Sequence, residues 1–412
     1  MTSIRRILLA LGSSLLVAPL LVAGAGSPAH PSAATATRGH HPHVHAAQTA
    51  VAWQRIAIRT IYTEGALPPP AGSLYLTFTS QAVHEAARRA ERYGRTAATV
   101  AVATAAHDVL HEYFPASRTA LDADLAALTA TVPVSWKAAV GAHIGAAAAD
   151  AMIASRVDDG RNDTTIVYDK APGLGVWQAP ATGMSLPWLG FVDPVIDVEP
   201  VALDGPDDLR SWAYARDYNE VRRLGSTTST ERTPEQTAIA QFFGVNPVVM
   251  YRDALCRYLD TRHLDLLTVT RLFAHIDTAN STAFIQAWRL KYDIGFWRPY
   301  EAVAQADTDG NWGTRTESGW TPLIANPAYA DYTSGHAAAT SPFAQVVRWT
   351  LGEHVPLTLR NGALERTYTS LSDLEHDALE ARIWGGLHFR DAMDDGYYMG
   401  HVTAYRVMHA LR

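Results

Sequence analysis

From about Ala52 onward, apolar residues recur every three or four positions through Ala-rich segments at 82–93, 97–113, 117–129 and 135–155. That is the period of helices with one buried face. Pro115 and Pro133 mark breaks between them. The period resumes near Pro234, continues through 247–259 and 264–289, and returns after Ser334 and again over 372–409. No persuasive two-residue alternation appears, so the pattern predicts an all-α helical bundle without strands. Between 158 and 234 the period fails, and Gly, Pro, Asp and Trp accumulate in runs such as APGLGVWQAPATGMSLPWLGFVDP. A stretch that long in a compact protein usually covers something functional, and it reads as an extended cap or lid over the bundle. A second loop is expected over 305–331, and no internal repeat is visible.

The N-terminus changes the picture of where this bundle works. Arg5 and Arg6 precede an apolar stretch from Ile7 to Ala23, followed by small residues at Ala23, Gly24 and Ala25. This reads as a signal peptide over 1–25, which makes the protein exported, secreted or held in the cell envelope. No later apolar run reaches the length of a membrane span, so no stable membrane insertion is expected after cleavage. Residues 26–48, with TRGHHPHVH at their centre, have linker composition and read as a solvated tether. The remaining 49–412 read as one helical domain with its chemistry in 233–412. A net charge of −7 and a pI near 6.2 give no reason to expect nucleic acid or an anionic membrane as partner. The single cysteine, Cys256, sits in an apolar helical run and reads as a small buried residue, which leaves the chain without any internal disulfide.

Three short stretches of the last third carry candidate chemistry. In KYDIGFWRP, Lys291 and Arg298 are seven residues apart, nearly two helical turns, which would bring both cations to one helical face within about 20°. Pro299 disfavours helical geometry at Arg298, so this arginine is also expected at a helix end, free to turn toward a cleft. In DYTSGHAAATSPF, Thr333 or Ser334 caps a helix that starts at Gly335 or His336. Such a start presents unsatisfied amides and partial positive charge to an oxyanion. In ARIWGGLHFRDAMDDG, Arg382 offers a planar fork and His388 an imidazole nitrogen as ligand or nucleophile. Each stretch alone is ordinary helix furniture. Together they supply three cations, a hydroxyl, an amide and two histidines, enough to neutralise a tetrahedral oxyanion and to attack or protonate around it.

Lys291-x6-Arg298-Pro299, Ser334-Gly335-His336 and Arg382-x5-His388, in that order, resemble the three-part signature shared by vanadium-dependent haloperoxidases and type 2 phosphatidic acid phosphatases. The resemblance implies the all-α bundle of that superfamily and vanadate as cofactor, with phosphate as a competing anion and no heme. It implies that His388 is the axial vanadate ligand, or the phosphorylated nucleophile of a phosphatase. Lys291, Arg298, Arg382, Ser334 and the Gly335 amide would hold the equatorial oxygens, and His336 would be the acid/base. Substrates would be hydrogen peroxide, a halide and an organic acceptor in one case, and a phosphomonoester in the other. An oxyanion-binding protein without turnover is a third reading. Bundles with such pockets often pair, so a homodimer is also an expectation. The sequence departs from the signature at Thr333, where proline is usual, and at Ala392, where the phosphatase pattern places an Asp four residues after the nucleophile. That leaves the partner of the His388 ring unassigned among Asp391, Asp394 and Asp395. Trp288 and Tyr329 occupy the positions that line the halide pocket in the haloperoxidases, but Tyr329 departs from the Phe or His expected there, which leaves chloride and bromide both open. The absence of later membrane spans tilts the reading toward the haloperoxidase over a membrane lipid phosphatase.

Overall fold

The computed structural model describes residues 46–411; the expected signal peptide and nearly all of the tether lie outside them. The first helix, α1 (Ala46–Ile58), already begins within the stretch read as tether. Thirteen α-helices and one hairpin make up the main regular structure of the described residues, as the helical period predicts. None of these helices is long and apolar enough to cross a membrane.

One bundle is formed by α2 (Pro69–Ala90), α3 (Arg95–Tyr113) and α5 (Trp136–Ala154). The α3–α5 seam is made of small residues: a Cβ added at Gly141 would lie 2.4 Å from the Ala97 carbonyl oxygen. The Ala-rich composition thus serves close backbone approach. Beside this bundle, α4 (Arg118–Thr129) buries only Leu121 and lies against α3. The second bundle contains α7 (Pro234–Phe242), α8 (Pro247–Asp260), α9 (Leu266–Ile294), α11 (Gly335–Leu351), α12 (Leu371–Trp384) and α13 (Arg390–Ala410). The two bundles meet where α2 packs on α9. A buried polar network ties the junction: Arg252 pairs with Asp277, whose other oxygen accepts from Ser80 at 2.5 Å. Removing one partner of such a pair strands a buried charge, at a cost of about 3–5 kcal/mol.

Three expectations need correction. The 158–234 segment is not one long irregular loop, because Ser211 caps a helix, α6 (Trp212–Leu224), inside it. Nor is the rest a loose lid. Val176 bridges to Phe296, the Ser185 amide donates to the Ala328 carbonyl at 2.7 Å, and Gly190 lies flat on the α9 backbone at Arg289. The chain also contains strands: β1 (Leu357–Asn361) and β2 (Leu364–Tyr368) pair antiparallel, with Leu357 opposite Tyr368. Their two-residue turn starts at Gly362, φ 58°, the residue that a tight hairpin demands. Last, the helix expected over 372–409 is two helices. Gly385 ends α12, Gly386 takes φ 74°, and α13 starts afresh at Arg390.

Candidate active site

The site lies where helix ends converge: the last turns of α9 and α12 and the starts of α10 (Pro299–Gln305), α11 and α13. Helix α9 stops at Ile294, and Gly295 closes it in the left-handed conformation, its amide donating to the Lys291 carbonyl. Lys291 and Arg298 therefore do not share a helical face. After Gly295 the chain runs extended, held by the Trp297 amide donating to the Gly175 carbonyl and the Trp177 amide to the Gly295 carbonyl. Arg298 then sits at the start of α10 with φ −84° and ψ 159°, as Pro299 dictates.

Both side chains are fully buried and grip one loop. Lys291 Nζ donates to the carbonyls of Ala330 and Asp331 at 2.8 and 2.9 Å. Arg298 Nε donates to the Tyr329 carbonyl at 2.9 Å and Nη1 to the Leu387 carbonyl at 2.8 Å. The Tyr329 ring lies 5.0 Å from both cations. Trp288 packs on Tyr329 with ring centroids 4.9 Å apart, and its indole N–H is fixed by the Ser185 carbonyl of the 158–234 segment. A Cβ at Gly335 would come within 3.2 Å of the Trp288 ring, so the aromatic pair and the start of α11 are in direct apposition.

Ser334 caps α11, its Oγ accepting from the Ala337 amide, while its own amide donates to the Ala392 carbonyl at 3.0 Å. The position that lacks the expected Asp thus contributes through its backbone. The first-turn amides of Gly335 and His336 have no carbonyl available within the helix. Arg382, in the last turn of α12, reaches the Phe243 carbonyl through Nη1. Close approach of Gly386 to Gly225 and Pro322 turns the chain so that His388 comes back over Arg298: a Cβ at Gly386 would lie 2.5 Å from the Gly225 oxygen. His388 Nε2 is 3.2 Å from Arg298 Nη1.

The residue that sequence reasoning missed is Asp331. It lies buried with Oδ1 2.8 Å from His388 Nδ1. The approach is oblique, and neither atom completes a hydrogen bond, but no other carboxylate among the described residues pairs with this ring. Asp331 opens the second motif stretch, so the signal was present. Its relation to His388 is set by the fold and not by spacing, and Asp391, Asp394 and Asp395 do not take that place.

Electrostatics define what these residues accept. Arg298 Nη2, Arg382 Nε, Thr333 Oγ1 and His336 Nε2 are buried without hydrogen-bond partners among the described residues. Burial, then the neighbouring guanidiniums, push His336 and His388 well below the ordinary histidine value. Burial likewise depresses Lys291, and Arg382 falls to about 10. Asp331 is pushed up to about 7 by burial, against the pull of Arg298 and Lys291. Three desolvated cations, two of them beside the Asp331 carboxyl and with donors left open, are costly unless an anion joins them. The residues present therefore fit a tetrahedral oxyanion such as vanadate or phosphate. With Nδ1 beside Asp331, His388 directs Nε2 to Arg298 Nη1, where an anion held by that guanidinium would meet it, and neutral His336 can take or give a proton.

Residues 271–412 match the model of the VCPO second helical-bundle domain. Among solved structures, a bacterial vanadium-dependent iodoperoxidase superposes with a TM-score of 0.73 at 19% identity, covering 89% of this chain and 97% of the other. The apo and holo forms of a bacterial vanadium-dependent chloroperoxidase superpose at 0.67 and 0.66, with 16% and 17% identity. They cover 84% of this chain and 94% and 93% of theirs. No curated protein sequence matches. At these identities the structural likeness establishes fold, and the domain match covers the segment that carries all three motif stretches. The chain thus has the fold of the vanadium haloperoxidases, and residues 271–412 are similar to their second helical-bundle domain.

Proposed function

We propose that the protein is a vanadate-dependent haloperoxidase that oxidises a halide with hydrogen peroxide. The observation that carries this reading is the set of buried, unpartnered donors on Arg298, Arg382 and Thr333 around the His388 ring. Vanadate, when bound, supplies a Lewis-acid centre that activates peroxide toward halide. Lys291, Arg298 and Arg382 would neutralise its oxygens, and Ser334 with the Gly335 amide would add neutral donors. Nε2 of His388 would hold the vanadate, and Asp331 beside Nδ1 would orient the ring. His336, kept neutral by its surroundings, accepts the proton of incoming peroxide. Trp288 and Tyr329 form an aromatic wall beside the cations, suited to a polarisable, weakly hydrated halide.

The Asp331–His388 contact also favours a second reading. A carboxylate at Nδ1 is what a phosphohistidine nucleophile needs, so the missing Asp at position 392 no longer argues against a soluble phosphomonoesterase with His336 as general acid. One experiment separates the two. Bromination of a phenol dye is followed with peroxide and bromide, before and after loading with orthovanadate, alongside hydrolysis of a phosphomonoester. Vanadate-dependent bromination suppressed by phosphate is expected. Absence of bromination with vanadate-inhibited hydrolysis overturns it in favour of the phosphatase. In either enzyme His336→Ala should lower turnover by about 10²–10⁴-fold without unfolding the chain. Unchanged turnover would remove His336 from the chemistry.

A further inference from the structure

A second cluster of ligating side chains lies far along the chain from the oxyanion site, on the α3–α4 corner. His107 and His111 are four residues apart on one face of α3, and Asp122 comes from α4. One ligand atom from each lies within 4.8 Å of the others. His107 Nε2 is 2.9 Å from Asp122 Oδ1, and His111 Nε2 is 3.9 Å from the same oxygen. The two imidazoles are tilted by 35° with centroids 5.1 Å apart.

Hydrogen-bond counting makes this cluster unusual. His107 is buried, and its Nδ1 is 2.7 Å from Asp108 Oδ1. If Nδ1 carries the proton, Nε2 holds only a lone pair, yet it points at the Asp122 carboxylate, which also only accepts. Either His107 is doubly protonated between two carboxylates, or a cation joins the three acceptors. The carboxylate at Nδ1 is also the outer partner that orients metal-bound histidines. In a tetrahedral zinc site, bonds of about 2.0–2.1 Å separate ligand atoms by about 3.3 Å. The two contacts to Asp122 bracket that spacing, and all three ligand atoms lie within 4.8 Å of one another. His111 is a third exposed and the Asp122 side chain about two-thirds exposed, so an ion can enter from solvent and keep an open position.

We propose that His107, His111 and Asp122 form a surface site for a borderline divalent transition metal, zinc foremost, which clamps α4 onto α3. The clamp has a structural purpose: α4 fully buries only Leu121, with Leu125 and Leu128 partly buried beside it, and most of its other residues are exposed. The two-histidine, one-carboxylate donor set suits zinc and disfavours magnesium and calcium, which prefer oxygen ligands.

The test is amide hydrogen exchange on the full chain with zinc chloride, magnesium chloride or chelator, in wild type and in His111→Ala. His111→Ala leaves the His107–Asp122 and His107–Asp108 contacts in place, so the variant is expected to fold. With zinc tenfold above its dissociation constant, exchange in α4 and the C-terminal half of α3 should slow about tenfold; magnesium should do nothing. The protection should vanish in His111→Ala, and in Asp122→Asn as a second variant. Unaltered exchange with zinc in the wild type would overturn the proposal, leaving an imidazolium held by two carboxylates. Equal protection in His111→Ala would overturn it too, by placing the ion elsewhere.

Discussion

Among the described residues, Asp331 is the carboxyl that lies against the His388 ring. The ring has two nitrogens, and only the one that faces away from Asp331 can meet an anion gripped by Arg298. Asp331→Asn keeps the volume, removes the charge and lets either amide atom face the ring, so the tautomer is no longer fixed. Such losses of an outer partner typically cost 10–100-fold, and about that drop is expected in turnover per bound vanadate, with helical content unchanged. Counting turnover per bound vanadate separates orientation from occupancy. Undiminished turnover would mean that Asp331 only balances charge. The cations and histidines of the site were legible because they come as short blocks of fixed order. Asp331 was not, since its role depends on a loop that Lys291 and Arg298 pull in by its carbonyls. The seven-residue spacing of Lys291 and Arg298 misled in its simplest form. A helix end at Gly295 lies between them, and Pro299 was the more reliable signal.

Elements succeed or fail as predictions according to where their signal lies. The helices of both bundles follow from the three-and-four period, and α6 was missed because Tyr214, Tyr218 and a buried Asp217 stand on its buried face where aliphatic residues are usual, within a Gly- and Pro-rich neighbourhood. The hairpin was missed although Asn361-Gly362 between alternating residues announces it. The Gly385-Gly386 pair mattered most, because it ends α12 and aims His388. At Gly386 the backbone is left-handed and the Cβ position is already filled by Gly225 and Pro322. Gly386→Ala should therefore cost about 1–3 kcal/mol in strain and a similar amount in overpacking, read as a lower denaturant midpoint at unchanged slope. The same substitution should weaken vanadate binding, since the loop carries both the Leu387 carbonyl and His388 toward Arg298. A variant with full stability and affinity would show that the loop has room the packing does not reveal. The 158–234 segment, in turn, supplies backbone partners to Trp288 and Trp297, so its deletion would dismantle the site and could not report on substrate access alone.

At the scale of the molecule, a chain with net charge −7 concentrates unpaired positive charge in one buried place. Average charge could not reveal this, and neither could periodicity, because the arrangement arises only when helix ends from distant parts of the chain meet. Proton linkage provides its test. Burial and mutual repulsion depress Lys291, His336 and His388, so each binds protons less readily in the empty site than in water. A dianion among them favours their charged forms and raises all three values; it also repels ionised Asp331 and raises that carboxyl further above about 7. Every one of these shifts has the same sign, so binding must take up protons, and affinity must fall as pH rises. Sulfate is the clean probe, having no proton of its own to exchange between about pH 6 and 9, so any protons taken up there belong to the protein. Calorimetry of sulfate binding in two buffers of different ionisation heat should show net uptake, and the melting temperature should rise more with sulfate at the acid end of that range. Release of protons, or binding indifferent to pH, would mean that the cations are already paired and that the site was not built to be neutralised from outside.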